Sequence, residues 1–230
     1  MNKTIHSLLF VSLSAVATAS AQAADTSRFF TGETATTLKN GAVSLDLEYL
    51  FSSQGNATSL RAGAFGGEIM LNSATDTHSG FSDSSIGYKK SIGKGLAAYG
   101  VVSHYDDGTI AGSATNFAVG AAYTMKSGDI TFNINPEFVT DDGNKNNRND
   151  KSTLFIKGLA AYKLKNVPVS LVAEIVLDNN DAVERNVNLG VRWQPKNNLT
   201  LDLVVYHDDG DPATDEITGI PGTVIVNYLF

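Results

Sequence analysis

Residues 117–138 read FAVGAAYTMKSGDITFNINPEF. Phe117, Val119, Ala121, Tyr123 and Met125 alternate with Ala118, Gly120, Ala122, Thr124 and Lys126. Past Lys126–Asp129 the period resumes, with Ile130, Phe132, Ile134 and Phe138 set against Thr131, Asn133, Asn135 and Glu137. Side chains two apart share one face of a strand, so each run has an oily side and a small or polar side. The tight connection between the runs makes them antiparallel neighbours.

The same period extends outward in both directions. Val43, Leu45, Leu47, Tyr49 and Phe51 alternate with Ser44, Asp46, Glu48 and Leu50. Val187, Leu189, Val191 and Trp193 alternate with Asn188, Gly190, Arg192 and Gln194, and Leu199, Leu201, Leu203 and Val205 with Thr200, Asp202, Val204 and Tyr206. No 3.6-residue period competes with it beyond the first residues, so the chain reads as all-β.

Composition narrows the classes. The 230 residues hold no cysteine, 21 glycines and a formal charge of −7. That excludes a disulfide scaffold and a thiolate metal site, and it disfavours non-specific nucleic-acid binding. The apolar run Leu8–Ala17 is far shorter than the roughly 20 residues of a spanning helix. Residues 1–23 instead read as a secretory signal peptide: Lys3, then Leu8-Leu9-Phe10-Val11, then the small-residue cleavage site Ala21-Gln22-Ala23. Residues 24–230 are expected to form a single domain.

Alternating strands build either a soluble sandwich or a membrane barrel. Segment length favours the barrel, because runs of about ten residues match a tilted strand crossing a bilayer, whereas globular strands average about five or six. Connection length does too. Tight links (Ser91–Gly95, Lys126–Asp129, Lys165–Val167, Pro195–Asn198) alternate with longer ones (Asp106–Thr115, Asp141–Ser152, Asp178–Arg185, Asp208–Gly219), as periplasmic turns and external loops do. The aromatics agree: Tyr88, Tyr123, Tyr162 and Trp193 precede short turns on the apolar face. With Tyr228 and Phe230 they make a periplasmic girdle.

The terminal run Val224, Val226, Tyr228 and Phe230, closing on phenylalanine, resembles the assembly signal of Gram-negative outer-membrane β-barrel proteins. The resemblance implies a transmembrane antiparallel up-and-down β-barrel, location in the outer membrane, and recognition of this last strand by the barrel assembly machinery. Ten strands are evident, near residues 43–51, 81–90, 95–105, 115–126, 129–140, 153–164, 168–178, 186–194, 198–207 and 222–230. A loop over residues 52–80 would be unusually long. Leu60–Leu71 is therefore read as a further strand and Arg28–Leu38 as its complement, joined to Val43 by Asn40-Gly41. About twelve strands are expected, with ten the alternative. Twelve would run Val43–Phe51 toward the periplasm and add Tyr49 and Phe51 to the girdle. Pro136 predicts a bulge or break.

The inward face carries Asp46, Glu48, Glu137, Glu174 and Asp202 against Lys89, Lys157, Lys163 and Arg192, mixed with Gly87, Gly100, Ala118, Gly120, Ala122 and Gly190. Two readings follow. Small residues keep a lumen open and the charges line a narrow path for small polar solutes, or acids and bases pair and close it. At the outer rim stand Asp106-Asp107-Gly108, Asp141-Asp142-Gly143, Asp178 with Asp181, and Asp208-Asp209-Gly210-Asp211; Lys90, Lys94, Lys126, Lys165 and Lys196 stand at the short turns. Asp and Gly start turns, but the same carboxylates would attract cations, suit Ca²⁺ or Mg²⁺, and let such ions bridge lipopolysaccharide phosphates. No other cofactor is implied.

The reading is thus a narrow porin-like channel with an acidic extracellular rim. The competing reading is a non-conducting structural or surface-interaction barrel that contacts outer-membrane lipid, lipopolysaccharide and divalent cations. His104 before Asp106-Asp107 and His207 before Asp208-Asp209 faintly resemble the His-Asp groups of omptin proteases, where a carboxylate-oriented histidine activates water. This chain lacks the length those barrels have above the membrane, and no enzyme is expected.

Overall fold

The computed structural model describes residues 28–30, 32–50, 55–76, 82–106, 113–140, 152–179, 185–208 and 223–230. Two short strands, β1 (Arg28–Phe29) and β2 (Gly32–Glu33), pair with each other. Twelve longer ones follow: β3 (Val43–Leu50), β4 (Gly55–Ala64), β5 (Gly67–Asp76), β6 (Ser82–Gly93), β7 (Leu96–Asp106) and β8 (Ser113–Ser127). Then come β9 (Ile130–Thr140), β10 (Thr153–Lys163), β11 (Val169–Asp178), β12 (Arg185–Lys196), β13 (Leu199–Asp208) and β14 (Thr223–Leu229).

Each long strand pairs antiparallel with the next, and β14 closes on β3 with Val226 opposite Leu47 and Tyr228 opposite Leu45. Closure removes both sheet edges, which satisfies every wall strand on two sides. One end of the barrel carries tight links at residues 65–66, 94–95, 128–129, 164–168 and 197–198; the other carries residues 51–54, 77–81, 107–112, 141–152, 179–184 and 209–222.

The sequence predicted twelve strands, and twelve form the barrel, but two of them differ from those expected. Arg28–Leu38 is not a wall strand. Residues 52–80 supply two, β4 and β5, folded back at Phe65-Gly66. Both turn residues have positive φ (54° and 73°), the backbone of the hairpin turn that matches strand twist. Positive φ is costly for a bulky side chain, and the hydroxyl of Tyr88 braces this turn by donating to the Phe65 carbonyl at 2.9 Å. Asn40-Gly41 does form a turn, with Gly41 at φ 86°, but it leads from the N-terminal segment into β3. Consequently β3 runs away from the short turns, and Tyr49 lies near the opposite end. Phe51 lies outside the described residues, as does the leader at 1–23.

Pro136 interrupts the ladder without shifting it. Pairing of β8 and β9 skips from Gly120–Glu137 to Tyr123–Ile134 in unchanged register. Pro136 stands opposite Ala121 and has no N–H to give. The side-chain amide of Asn135 donates to the Ala121 carbonyl instead, at 3.1 Å. A true bulge occurs elsewhere, in β13, where Leu189 pairs with Tyr206 but Gly190 with Val204. The extra residue, Val205, rotates the strand so that Tyr206 joins the outer face, not the polar one predicted.

The outer face is apolar along most of its height and turns polar toward the long connections of β4–β7, at Asn56, Ser73, Thr75, Ser84 and His104. Val119 is 59% exposed, Ile86 56%, Phe117 55%, Ile134 50% and Leu171 49%, each flanked by similar neighbours. A continuous oily wall of this extent is what hydrocarbon requires and water penalises. Burial is inverted: Arg61, Glu68, Lys89, Asn133, Asn135 and Glu174 are all at most 2% exposed, inside the barrel.

Candidate functional site

The lumen is not empty. After the β1–β2 pair, residues 34–42 continue inside the barrel and leave at the short-turn end, where Gly41 N donates to Gly63 O and Gly63 N to Ala42 O, both at 2.9 Å. Gly63 permits this, because a Cβ there would fall 1.9 Å from the Lys39 carbonyl oxygen. The N-terminal segment therefore runs flat against β4.

Its anchor is Glu33. One carboxylate oxygen accepts from Arg61 Nη2 at 2.6 Å, and the other from Arg61 Nη1 at 2.8 Å and Lys89 Nζ at 2.9 Å. A fork-to-carboxylate pair plus an ammonium is a strong charge-assisted arrangement. Burial alone would raise the Glu33 carboxyl, but the Arg61 and Lys89 charges outweigh it and hold this lumenal group well below the usual carboxylate range. Glu68 completes the cluster, 2.8 Å from Arg61 Nη1 and 3.4 Å from Lys89 Nζ, and it accepts from the Leu38 amide at 2.9 Å. Asp46 stands 3.6 Å from Arg61 Nε.

Other walls hold the same segment. Asn133 Nδ2 donates to the Glu33 carbonyl, and the Ala35 amide donates to Thr124 Oγ1 at 2.8 Å. Phe30 is 3% exposed and packs with Leu159, Ala161, Val172, Val204 and Ile225, a small apolar core inside an otherwise polar lumen. Gly190 makes room for the Phe30 ring, since a Cβ there would lie 2.8 Å from Cζ. Burying such a side chain is worth about 1.5–3 kcal/mol. The segment thus touches walls on all sides of the short-turn half of the barrel.

Above it, toward the long connections, a cavity of about 260 Å³ opens between β3, β4, β5 and β6. Glu33 and Arg61 form its floor, and Asp46, Glu48, Ser59, Asn72, Asp83 and Ser85 line its sides.

The predicted lumenal charges mostly find partners. Arg192 and Asp202 face each other across β12 and β13, with Nε–Oδ1 at 2.7 Å and Nη2–Oδ2 at 2.5 Å. Lys157 Nζ donates to Glu137 at 2.9 Å, and the Tyr99 hydroxyl donates to the other oxygen of Glu137 at 2.8 Å. Glu174 accepts from Asn188 at 2.9 Å. Lys163 is exposed at the short-turn mouth. Gly100 does not face the lumen: Tyr99 turns inward over Gly120, which puts Gly100 on the outer face with its partner Val119.

Sequence reasoning missed Glu33, Arg61, Glu68 and Tyr99. Arg61 and Glu68 sit among glycines that blur the alternation, and Glu33 falls in the stretch whose pattern reads as a wall strand. For Tyr99, the tight spacing opposite Gly120 was the available signal.

Tyr88, Tyr123, Tyr162, Trp193 and Tyr228 all lie on the outer face near the short turns, and Tyr228 meets Phe230 edge to face at 4.8 Å. Asp106, Asp178 and Asp208 end β7, β11 and β13 at the opposite end, while Asp107, Asp141, Asp142, Asp181, Asp209 and Asp211 lie outside the described residues. Among the described residues no three acids or histidines gather as a metal site. The two histidines are not brought together: β7 and β13 stand on opposite walls, and His104 is on the outer face, 3.3 Å from Thr115 Oγ1.

No protein-family model matches the chain, and no curated protein matches it. Solved structures do. A KdgM porin in complex with disordered oligogalacturonate superposes with a TM-score of 0.50 at 8% identity, covering 82% of this chain and 98% of that one. The NanC porin gives 0.49 at 11%, covering 81% and 98%. BamA from Haemophilus ducreyi lacking POTRA domains 1–3 gives 0.40 at 11%, covering 74% and 42%. The KdgM likeness shows a shared fold: the chain has the porin-like barrel of outer-membrane proteins.

Proposed function

We propose that this chain is an outer-membrane channel for small polar solutes, cation-preferring and held closed at rest by its own N-terminal segment. The observation that carries the proposal is the lumen itself: ionised and amide side chains line a barrel whose outside is hydrocarbon-like, and the occluding segment joins the wall covalently at the foot of β3 and is otherwise held by side-chain contacts. Stability alone does not require burying Arg61, Lys89, Glu33 and Glu68 together, since apolar residues often serve it as well. A movable closure uses them, because charge pairs fix a register and still exchange for water.

In this reading residues 1–23 direct export, and the short-turn end, with Lys94, Lys126, Lys165 and Lys196, is periplasmic. The outward aromatics form the lower girdle, and β14 with Phe230 addresses the assembly machinery. The acidic rim recruits Ca²⁺ or Mg²⁺ beside lipopolysaccharide. Cation preference rests on the cavity, where Asp46, Glu48 and Asp83 stand beside a Glu33 already paired with Arg61 and Lys89. The oligogalacturonate held by the KdgM porin is a polyanion, and an acidic vestibule opposes such a solute. It is not carried over.

Planar-bilayer recording tests the proposal. Chain beginning at Ala24 gives rare, small current steps, and chain lacking residues 24–38 gives frequent ones with a cation-selective reversal potential. Silence from both at all voltages would overturn it. That silence would support the second reading, a non-conducting surface barrel, which the occupied lumen and its paired charges also favour.

A further inference from the structure

The cavity above Arg61 contains acceptors that the protein leaves unserved. Asp46 is 4% exposed and Ser59 3%. Asp46 Oδ1 accepts from Asn227, but Oδ2 has no hydrogen-bond donor among the described residues: Arg61 Nε, at 3.6 Å, attracts it without reaching bonding distance. Ser59 Oγ and Asp83 Oδ1 also have no hydrogen-bond partner there. All three residues line the same space. Buried acceptors without donors are costly, so this cavity is built for something that brings N–H or O–H groups with it.

Charge narrows the chemistry. Glu33 is neutralised by Arg61 and Lys89, while Asp46, Glu48 and Asp83 add acidic side chains along the sides of the cavity. These acids occupy two walls: Asp46 and Glu48 on β3, and Asp83 on β6. Three strand spacings separate β3 from β6, about 14 Å along the curved wall. A bare metal ion needs its ligands within about 2.6 Å and cannot join groups so distributed. An elongated ligand with a cationic, donor-rich group at each end can.

We infer that the vestibule binds aliphatic diamines or longer polyamines, one ammonium directed to Asp46 and Glu48 and the other to Asp83, with Ser59 and Asn72 between. The volume of about 260 Å³ admits a chain of this kind with its first-shell water. The inference deepens the proposed channel by naming the class of solute it takes, and it rests on that reading only for transport, not for binding.

Calorimetry on the folded chain from Ala24, in detergent and at low salt, separates the two. The probes are putrescine, butylamine and butanediol, which share a carbon chain and carry two, one and no amines. Putrescine binds one site, butylamine binds roughly tenfold more weakly, the weight of one charge-assisted hydrogen bond, and butanediol gives no heat. Asp83→Asn lowers putrescine affinity to the butylamine level and leaves butylamine nearly unchanged. Asp46→Asn weakens both. Heat-modifiable electrophoretic mobility confirms that each variant is folded. Equal affinities for the three probes, absence of heat with putrescine, or an unaltered Asp83→Asn variant would overturn the inference. Binding without any bilayer current would overturn the channel and keep the binding site.

Discussion

Glu33→Ala opens the barrel. In bilayer recordings the variant passes current most of the time, where the parent chain does so rarely. The substitution removes two contacts to Arg61 and one to Lys89, and charge-assisted hydrogen bonds are worth about 1.5–3 kcal/mol each. The wall loses less than the segment does, because Arg61 and Lys89 keep Glu68 as a partner. A net loss of about 3 kcal/mol at the anchor shifts the docked-to-undocked ratio on the order of a hundredfold. The Phe30 pocket and the Ala35 and Leu38 amide contacts remain, so the segment still returns. Glu33→Asp, charged but shorter, falls between.

Acid does not reproduce the effect. A carboxylate whose folded value lies below its ordinary 4.5 adds stability above that ordinary value and loses it only as pH falls through the depressed one. Closure therefore persists at about pH 5 in the parent chain. Unchanged gating in Glu33→Ala would show that the segment is not the closure.

Val119→Arg has the second large effect, and it acts on the wall. Val119 lies near the middle of β8 on the outer face, 59% exposed. On a water-facing surface a substitution this exposed would change stability by no more than about 0.5 kcal/mol. On a lipid-facing one, an arginine near the bilayer midplane costs about 2–4 kcal/mol. Urea titration of barrels in lipid vesicles reads the difference directly. A cost below about 1 kcal/mol would place water, not hydrocarbon, against this face.

What could be read beforehand, and what could not, divides along one physical line. Strands with a strict period, such as β8, β9 and β12, show their faces in sequence because lipid and lumen demand opposite chemistries at every step. The period fails where backbone geometry intervenes. Gly63, Gly66 and Gly67 erased the contrast in β4 and β5, and the Phe65-Gly66 turn lacks the Asn or Asp that advertises a hairpin. Val205 turned Tyr206 outward through a bulge that no residue type announces.

The N-terminal segment resists reading from sequence for a different reason. Phe30, Glu33 and Leu38 supply apolar and polar residues much as a wall strand does, but their partners are distant in sequence: Arg61, Glu68 and Lys89 on one side, Ile225 on the other. Contacts of that kind leave no local signature. Arg192 and Asp202, by contrast, are legible as lumenal, because each sits in a well-patterned strand.

The chain contains one tryptophan, Trp193, on the outer face beside the short turn after β12 and 48% exposed. Its fluorescence in vesicles made with brominated lipids is the most direct test of whether this face meets hydrocarbon. Bromines just below the headgroups should quench it strongly, bromines near the chain ends weakly, and aqueous iodide hardly at all. Strong quenching by iodide with none by any brominated lipid would contradict the membrane barrel outright.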